Sequence, residues 1–209
     1  MNLLIFGATG GTGRQLVEQA LEAGHTVTAF IRTPAKLPLQ YPNLRLVQGN
    51  VLDYASVLAA MPGQEAVLSA LGAPAAQKDA VRSAGTHNIL QAMESLGVRR
   101  FICLTTMGMG DSREALPFSY KYLIIPLFLR SAFADSEVQE NYIRQSQVEW
   151  TIARPATLTN GRRTGSYRHG FPATERGLKI KISRADVADF MLKQLHDSSY
   201  VRQAASLSY

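Results

Sequence analysis

The sequence predicts an α/β fold: a doubly wound parallel sheet in a single domain, with a small C-terminal region on the substrate side. Three observations lead there. Short apolar runs alternate with segments whose apolar residues recur at helical spacing, and a glycine-rich loop joins the first run to the first such segment. The 209 residues, 46% hydrophobic and 18% charged, suffice for one sizeable core.

Asn2 to Phe6 is apolar up to Gly7 and reads as a buried strand. From Gly11 to Ala23, the residues Leu16, Val17, Ala20 and Leu21 keep helical spacing, and Gly24 ends the segment. Thr26 to Ile31, Leu44 to Val47 and Ala66 to Ser69 give the next three strands. A helix follows from about Asp79 to Leu96, with Val81, Ile89, Leu90 and Met93 on its apolar side and Gly97 at its end. Arg100 to Leu104 is the fifth strand, Ser136 to Gln145 reads as helical, and Glu149 to Ala153 is the sixth strand. Beyond Arg154 the glycines at 161, 165 and 170 suggest loops and small strands. A last helix is signalled by Ser183-Arg-Ala-Asp186, a capping-box pattern ahead of Val187, Phe190, Met191 and Leu195. Nothing resembles a linker or a repeat.

The single cysteine, Cys103, sits between apolar neighbours and reads as a buried structural thiol in a reducing compartment. The N-terminus shows neither a basic leader nor a small-residue cleavage site. The apolar run from Tyr122 to Leu129 contains Pro126 and is too short to span a bilayer. A cytoplasmic protein without membrane partners is expected. Net charge is +6, and eight Arg or Lys between Arg154 and Arg184 face only Glu175. That stretch is either a solvated face or an attractor for a small anion. No nucleic-acid module accompanies it, so nucleic acid is not expected as a partner. His25, His87, His169 and His196 lack metal-ligand spacing, so no metal is expected.

The loop Gly7-Ala-Thr-Gly10-Gly11-Thr-Gly13 lies between a strand and a helix inside a βαβ unit covering residues 1–50. Gly7 permits the tight turn, Gly10 lets backbone approach a pyrophosphate, and Gly13 lets the helix pack closely on the strand. A helix N-terminus then faces the phosphates with free N–H groups. This is the fingerprint of a dinucleotide-binding Rossmann unit. At the end of the second strand an NAD-preferring site places an acid. Here Ile31-Arg32-Thr33-Pro34-Ala35-Lys36 has none. Arg32 can pair with a 2′-phosphate and stack on adenine, and Thr33 and Lys36 can add donors. The expected cofactor is NADP(H), against the plainer reading of Arg32 and Lys36 as surface charges.

The glycine loop, Arg32, Gly49-Asn50-Val51, Leu71-Gly72, Thr105-Thr106, Arg154-Pro155 and Ile182-Ser-Arg-Ala-Asp186 together resemble the atypical short-chain dehydrogenases/reductases. Within them, the resemblance is to the biliverdin-IXβ and flavin reductase group, and it covers nearly the whole length. It implies that Gly7, Thr9, Gly10, Gly11, Thr12 and Gly13 wrap the pyrophosphate, and that Arg32 and Lys36 hold the 2′-phosphate. Asn50 and Val51 would frame the adenine, with Asn50 standing where other members carry Asp. Leu71, Gly72 and Ala73 would cross the back of the cofactor. Thr105 and Thr106 lie at the end of the fifth strand, where Thr106 matches a family serine near the nicotinamide and is the one candidate catalytic residue. Arg154 belongs to the same cofactor-side set, and Pro155 and Ala156 would lie beside the carboxamide.

Two departures bear on chemistry. Histidines that the group carries near Ala156 and Ser136 are missing, and no Tyr-x-x-x-Lys pair occurs near Tyr120 or Tyr122. Ordinary members use that tyrosine to move a proton on an alcohol oxygen. A flavin or linear tetrapyrrole instead takes hydride into a conjugated system, with the protein holding donor and acceptor face to face. The acceptor pocket is expected from segments about 106–130 and 155–182. Met107, Met109, Phe118, Tyr120, Leu127 and Phe128 form its apolar wall, or else part of the core or a dimer face, and Arg168 meets an acidic group of the ligand. The expected partner is a small molecule, and the expected assembly a monomer or weak homodimer. The competing expectations are a non-enzymatic NADP(H)-sensing regulator and a sugar or phenylpropanoid reductase or epimerase.

Overall fold

A computed structural model describes residues 1–72 and 80–209. In chain order it contains β1 (Asn2–Phe6), α1 (Gly11–Glu22), β2 (Thr26–Ile31), β3 (Leu44–Gln48), α2 (Tyr54–Ala60), β4 (Ala66–Ser69), α3 (Val81–Leu96) and β5 (Arg100–Leu104). A π-helical segment, Tyr120–Leu129, runs into α4 (Arg130–Gln145). Then come β6 (Glu149–Pro155), β7 (Thr157–Thr159), β8 (Arg168–His169), β9 (Lys181–Ser183), α5 (Arg184–Lys193) and β10 (Gln203–Ser208).

Eight strands form the main sheet in the order β3-β2-β1-β4-β5-β6-β10-β8, and β7 and β9 form a small parallel pair. Only β8 runs antiparallel to its neighbour in the main sheet. The direction of winding reverses between β1 and β4, and open α/β sheets place their ligand crevice outside the strand ends at that point.

Alternation along the strands divides the core between two faces. Leu3 and Ile5 of β1 join Leu16, Val17 and Ala20 of α1 and Val187, Phe190 and Met191 of α5 on one face. Leu4 and Phe6 join Val57 of α2, Ile89 and Met93 of α3 and Ile143 of α4 on the other. Because both faces are covered, the inner strands β1, β4 and β5 are apolar at successive positions rather than alternately polar. Each such side chain contributes about 1.5–3 kcal/mol by leaving water.

Cys103 is fully buried and accepts a hydrogen bond from Gln139 Nε2 at 3.2 Å. Burial pushes its thiol well above the ordinary range. The helix expected from about Asp79 begins at Val81, with Asp79 itself outside the described residues. Its first turn is capped from another helix: Asp135 of α4 accepts from Arg82 N at 3.2 Å and Ser83 N at 3.0 Å.

The signal before α5 is half realised. Ser183 Oγ accepts from Asp186 N at 2.9 Å, but the Asp186 carboxylate does not return to Ser183. One methylene shorter than Glu, it accepts instead from Thr164 N, Thr164 Oγ1, Gly165 N and Tyr209 OH at 2.6–2.9 Å. Ser183 N donates to Tyr209 OH at 3.1 Å. Among the described residues no helix is long and apolar enough to cross a membrane.

Candidate dinucleotide cleft

A cleft of about 700 Å³ opens at the switch point, lined by the glycine loop, the ends of β2, β4 and β5, and residues of the π-helical segment and α4. Gly7 has φ of +75°, where a side chain is strained, and a Cβ there would run into the Ala70 carbonyl. A Cβ at Gly13 would overlap the carbonyl of Gly7, so helix and strand approach as closely as glycine allows. Gly13 supports the loop from beneath; Gly7, Thr9, Gly10, Gly11 and Thr12 line the cleft. The N-cap of α1 is Gly10, with no side-chain cap and no acid in the first turn. The positive end of the helix therefore points into the cleft. These features suit a dinucleotide pyrophosphate.

At the outer end stand Arg32 and Lys36, both exposed and without an ion pair among the described residues. Thr33 precedes the short turn Pro34–Lys36 and does not line the cleft. Asn50 lines it, with Oδ1 accepting from Leu52 N at 3.1 Å. Val51 is held from behind: Asn88 Nδ2 donates to its carbonyl at 2.9 Å, and Gly85 of α3 leaves room for Val51 and Leu71 to pack. Leu71 and Gly72 complete this wall, whereas Ala73 lies outside the described residues.

Thr105 and Thr106 line the cleft where β5 ends. Thr105 Oγ1 donates to Glu140 Oε1 at 2.9 Å. Glu140 is also gripped by Arg154, with Nε 2.9 Å from Oε1 and Nη2 2.6 Å from Oε2. Arg154 Nη1 reaches Asp111 Oδ1 at 2.5 Å, on the loop after β5. Arg154 is only 1% exposed, and burial alone would weaken its hold on a proton; the bonds to Glu140 and Asp111 outweigh this and raise its pKa. It touches the cleft only through Glu140 and Thr105. Thr106 Oγ1 turns to the carbonyl of Met107 at 3.3 Å.

The other expected residues lie elsewhere. Pro155 and Ala156 are buried, and Met107 N donates to the Pro155 carbonyl at 2.9 Å. Met107, Leu116 and Ala156 form a small core, with Tyr120 packed against it, and Met109 is buried as well. Phe118, 74% exposed, packs its ring at a 39° tilt against Tyr122 and does not line the cleft. Arg168 is on the edge strand β8 and pairs with Glu175, beside a basic hollow that also includes Arg162, Lys179 and Lys181. From the segments after β5 and β6, the apolar residues that do line the cleft are Leu129, Ala132, Phe133 and Leu158. Sequence reasoning also missed Arg82, Ser136 and Arg184 as cleft residues. Arg184 belongs to the motif before α5, but nothing local shows that it reaches the glycine loop.

The model of the NAD(P)H-binding family matches residues 7–198. The chain belongs to that family. It is 30% identical over 173 residues to an uncharacterized chloroplastic protein of Arabidopsis thaliana, a match covering 78% of this chain and 61% of that protein. It spans less than half the length of two further curated relatives. Among solved structures it superposes on a short-chain dehydrogenase/reductase of Veillonella parvula in complex with NADP, with a TM-score of 0.84, 18% identity and coverage of 100% and 94% of the two chains. ChuY, an anaerobillin reductase of Escherichia coli O157:H7, matches with a TM-score of 0.79 and 24% identity over 99% of this chain and 96% of its own. Both likenesses are of fold.

Proposed function

We propose that the chain is an NADPH-dependent reductase acting on a flat conjugated acceptor, a biliverdin of the IXβ type or a free flavin. One observation carries the reading: among the described residues lining the cleft, the only ionisable side chains are cations, Arg32, Lys36, Arg82 and Arg184. Arg32 and Lys36 at the end of β2 supply the donors that a 2′-phosphate requires, with no carboxylate there to repel it. Gly7, Thr9, Gly10, Gly11 and Thr12 hold the pyrophosphate at the start of α1, while Asn50, Val51, Leu71 and Gly72 form the walls at the adenine end. When bound, the reduced nicotinamide supplies a hydride.

On the acceptor side the lining offers Leu129, Ala132, Phe133 and Leu158, an apolar face suited to a planar ring system. No tyrosine, histidine or carboxyl group lines it among the described residues. Both threonine hydroxyls at the end of β5 already donate within the protein, so they present lone pairs to the cleft. Such a site favours an acceptor that spreads negative charge and takes its proton from solvent over one needing a protein acid. Likeness of fold to an anaerobillin reductase is in keeping with this. The test is NADPH consumption over biliverdin isomers, flavins, quinones and small carbonyls. Turnover with biliverdin IXβ or flavin is expected, and inertness toward both sinks the proposal.

A second reading, an NADP(H)-sensing regulator, draws on one feature. Phe118, Tyr122, Leu123, Leu127 and Phe128 stand exposed on the segment that leads into α4, where a partner could cover them. Steady turnover with any acceptor in that screen excludes it.

A further inference from the structure

Arg184 is the first residue of α5, yet its side chain lies over the start of α1. A Cβ on Gly11 would stand 2.6 Å from Arg184 Cδ and 2.9 Å from its Nε, so the third glycine of the loop leaves the space that this arginine fills. The two helices are tied together beneath it, with Gln19 Nε2 donating to the Ala185 carbonyl at 2.9 Å. Among the described residues the guanidinium has one hydrogen-bond partner, and it is neutral: Nη1 donates to Asn160 Oδ1 at 2.6 Å. Among the described residues no carboxylate balances it, and α1 adds the positive end of its own dipole with no acid in its first turn. Two like-signed groups brought together in a cleft without a counter-ion create a site for an anion.

We infer that Arg184 is a second phosphate ligand: packed against Gly11 over the start of α1, it holds the dinucleotide pyrophosphate alongside the glycine loop. Through Asn160, at the end of β7, it also ties the segment after β6 to the bound cofactor. The inference rests on the cofactor reading above and extends it, since the pyrophosphate is common to NADPH and NADH whereas the 2′-phosphate is not. Arg184 therefore sets affinity for either dinucleotide and has no part in choosing between them.

The experiment is calorimetric titration of wild type, Arg184→Ala, Arg184→Lys and Arg32→Ala with NADPH, NADH and adenosine 2′-monophosphate, which lacks a pyrophosphate. Ligand-free melting temperatures are measured alongside. Arg184→Ala should weaken both dinucleotides alike, on the order of ten- to a hundredfold, and leave adenosine 2′-monophosphate unchanged. Arg184→Lys, which keeps the charge and loses the fork, should fall between wild type and Arg184→Ala. Arg32→Ala should weaken NADPH and adenosine 2′-monophosphate and spare NADH. Unchanged dinucleotide binding in Arg184→Ala, loss of NADPH alone, or losses matched by a collapse of the ligand-free melting temperature each overturn the role of Arg184 while leaving the cofactor reading standing. A wild-type protein blind to both dinucleotides removes that reading, and this inference with it.

Discussion

Thr105 Oγ1 donates a hydrogen bond to Glu140 Oε1, 2.9 Å away, and Glu140 is itself locked by two hydrogen bonds from the buried Arg154. The orientation of a hydroxyl at the cleft is thus set by an ion pair behind it. Removing one partner leaves a buried charge undercompensated. Glu140→Gln should lower unfolding stability by about 3–5 kcal/mol. Replacing both partners with apolar residues of similar volume should recover much of that. Urea denaturation of the single and double variants measures it, and a loss below about 1 kcal/mol in Glu140→Gln would show that Asp111 alone suffices for Arg154.

On the proposed reading, Arg32 selects the cofactor. Arg32→Ala should weaken NADPH by roughly 1.5–3 kcal/mol and NADH far less, since a charged hydrogen bond to the 2′-phosphate is lost only with the former. Equal losses in a paired titration would mean that Arg32 does not read the phosphate.

Glycines around the cleft differ in what a side chain would meet. Gly13→Ala forces a methyl group against the Gly7 carbonyl, so it should destabilise the fold by about 1–3 kcal/mol and abolish dinucleotide binding. Gly72→Ala meets open space and should change stability by no more than about 0.5 kcal/mol. Thermal melts of the two variants side by side decide the point, and similar losses in both would remove the steric account.

Acid stability depends on α5. Burial raises the Asp186 carboxyl, but Tyr209 OH, the Gly165 and Thr164 N–H groups and the Thr164 hydroxyl outweigh burial and hold it below the usual range. Asp189 is held low in the same sense: burial is opposed by hydrogen bonds from Lys193, Tyr167 and Arg163. A carboxyl whose folded pKa is depressed stabilises fully above its unfolded value, about 3.9, and loses that contribution as pH falls through the folded value. Stability should therefore be level near neutrality and fall below about pH 4. Asp186→Asn should cost about 1–3 kcal/mol at pH 7 and flatten the acid limb. Denaturation midpoints between about pH 3 and 7 give both readouts, and an acid limb as steep as wild type contradicts the assignment.

Much of the fold could be read from the chain. Asn2–Phe6, Thr26–Ile31, Ala66–Ser69 and Arg100–Leu104 are strands with the expected ends, because each is an apolar run cut off by polar or glycine residues. What escaped had weaker local chemistry. Gln203–Ser208 is built from one Gln, two Ala, two Ser and one Leu, without the β-branched residues that mark a strand. Tyr54–Ala60 is under two turns long, although Asp53 caps it visibly, accepting from Ala55 N at 3.1 Å. Helix α4 begins six residues before the expected Ser136, since the apolar run with Pro126 winds as a π-helix straight into it. At the cleft, Arg32 and the glycines announced themselves by their place after a strand. Arg184 did not, because it reaches Gly11 only through the packing of two helices far apart in sequence.

The proposed function requires a cleft shaped and charged for a 2′-phosphorylated dinucleotide. Titration of the purified wild-type chain with NADPH and NADH under identical salt tests it most directly. NADPH should bind at least roughly tenfold more tightly, as a paired phosphate contributes. Equal affinity, or tighter binding of NADH, would contradict it.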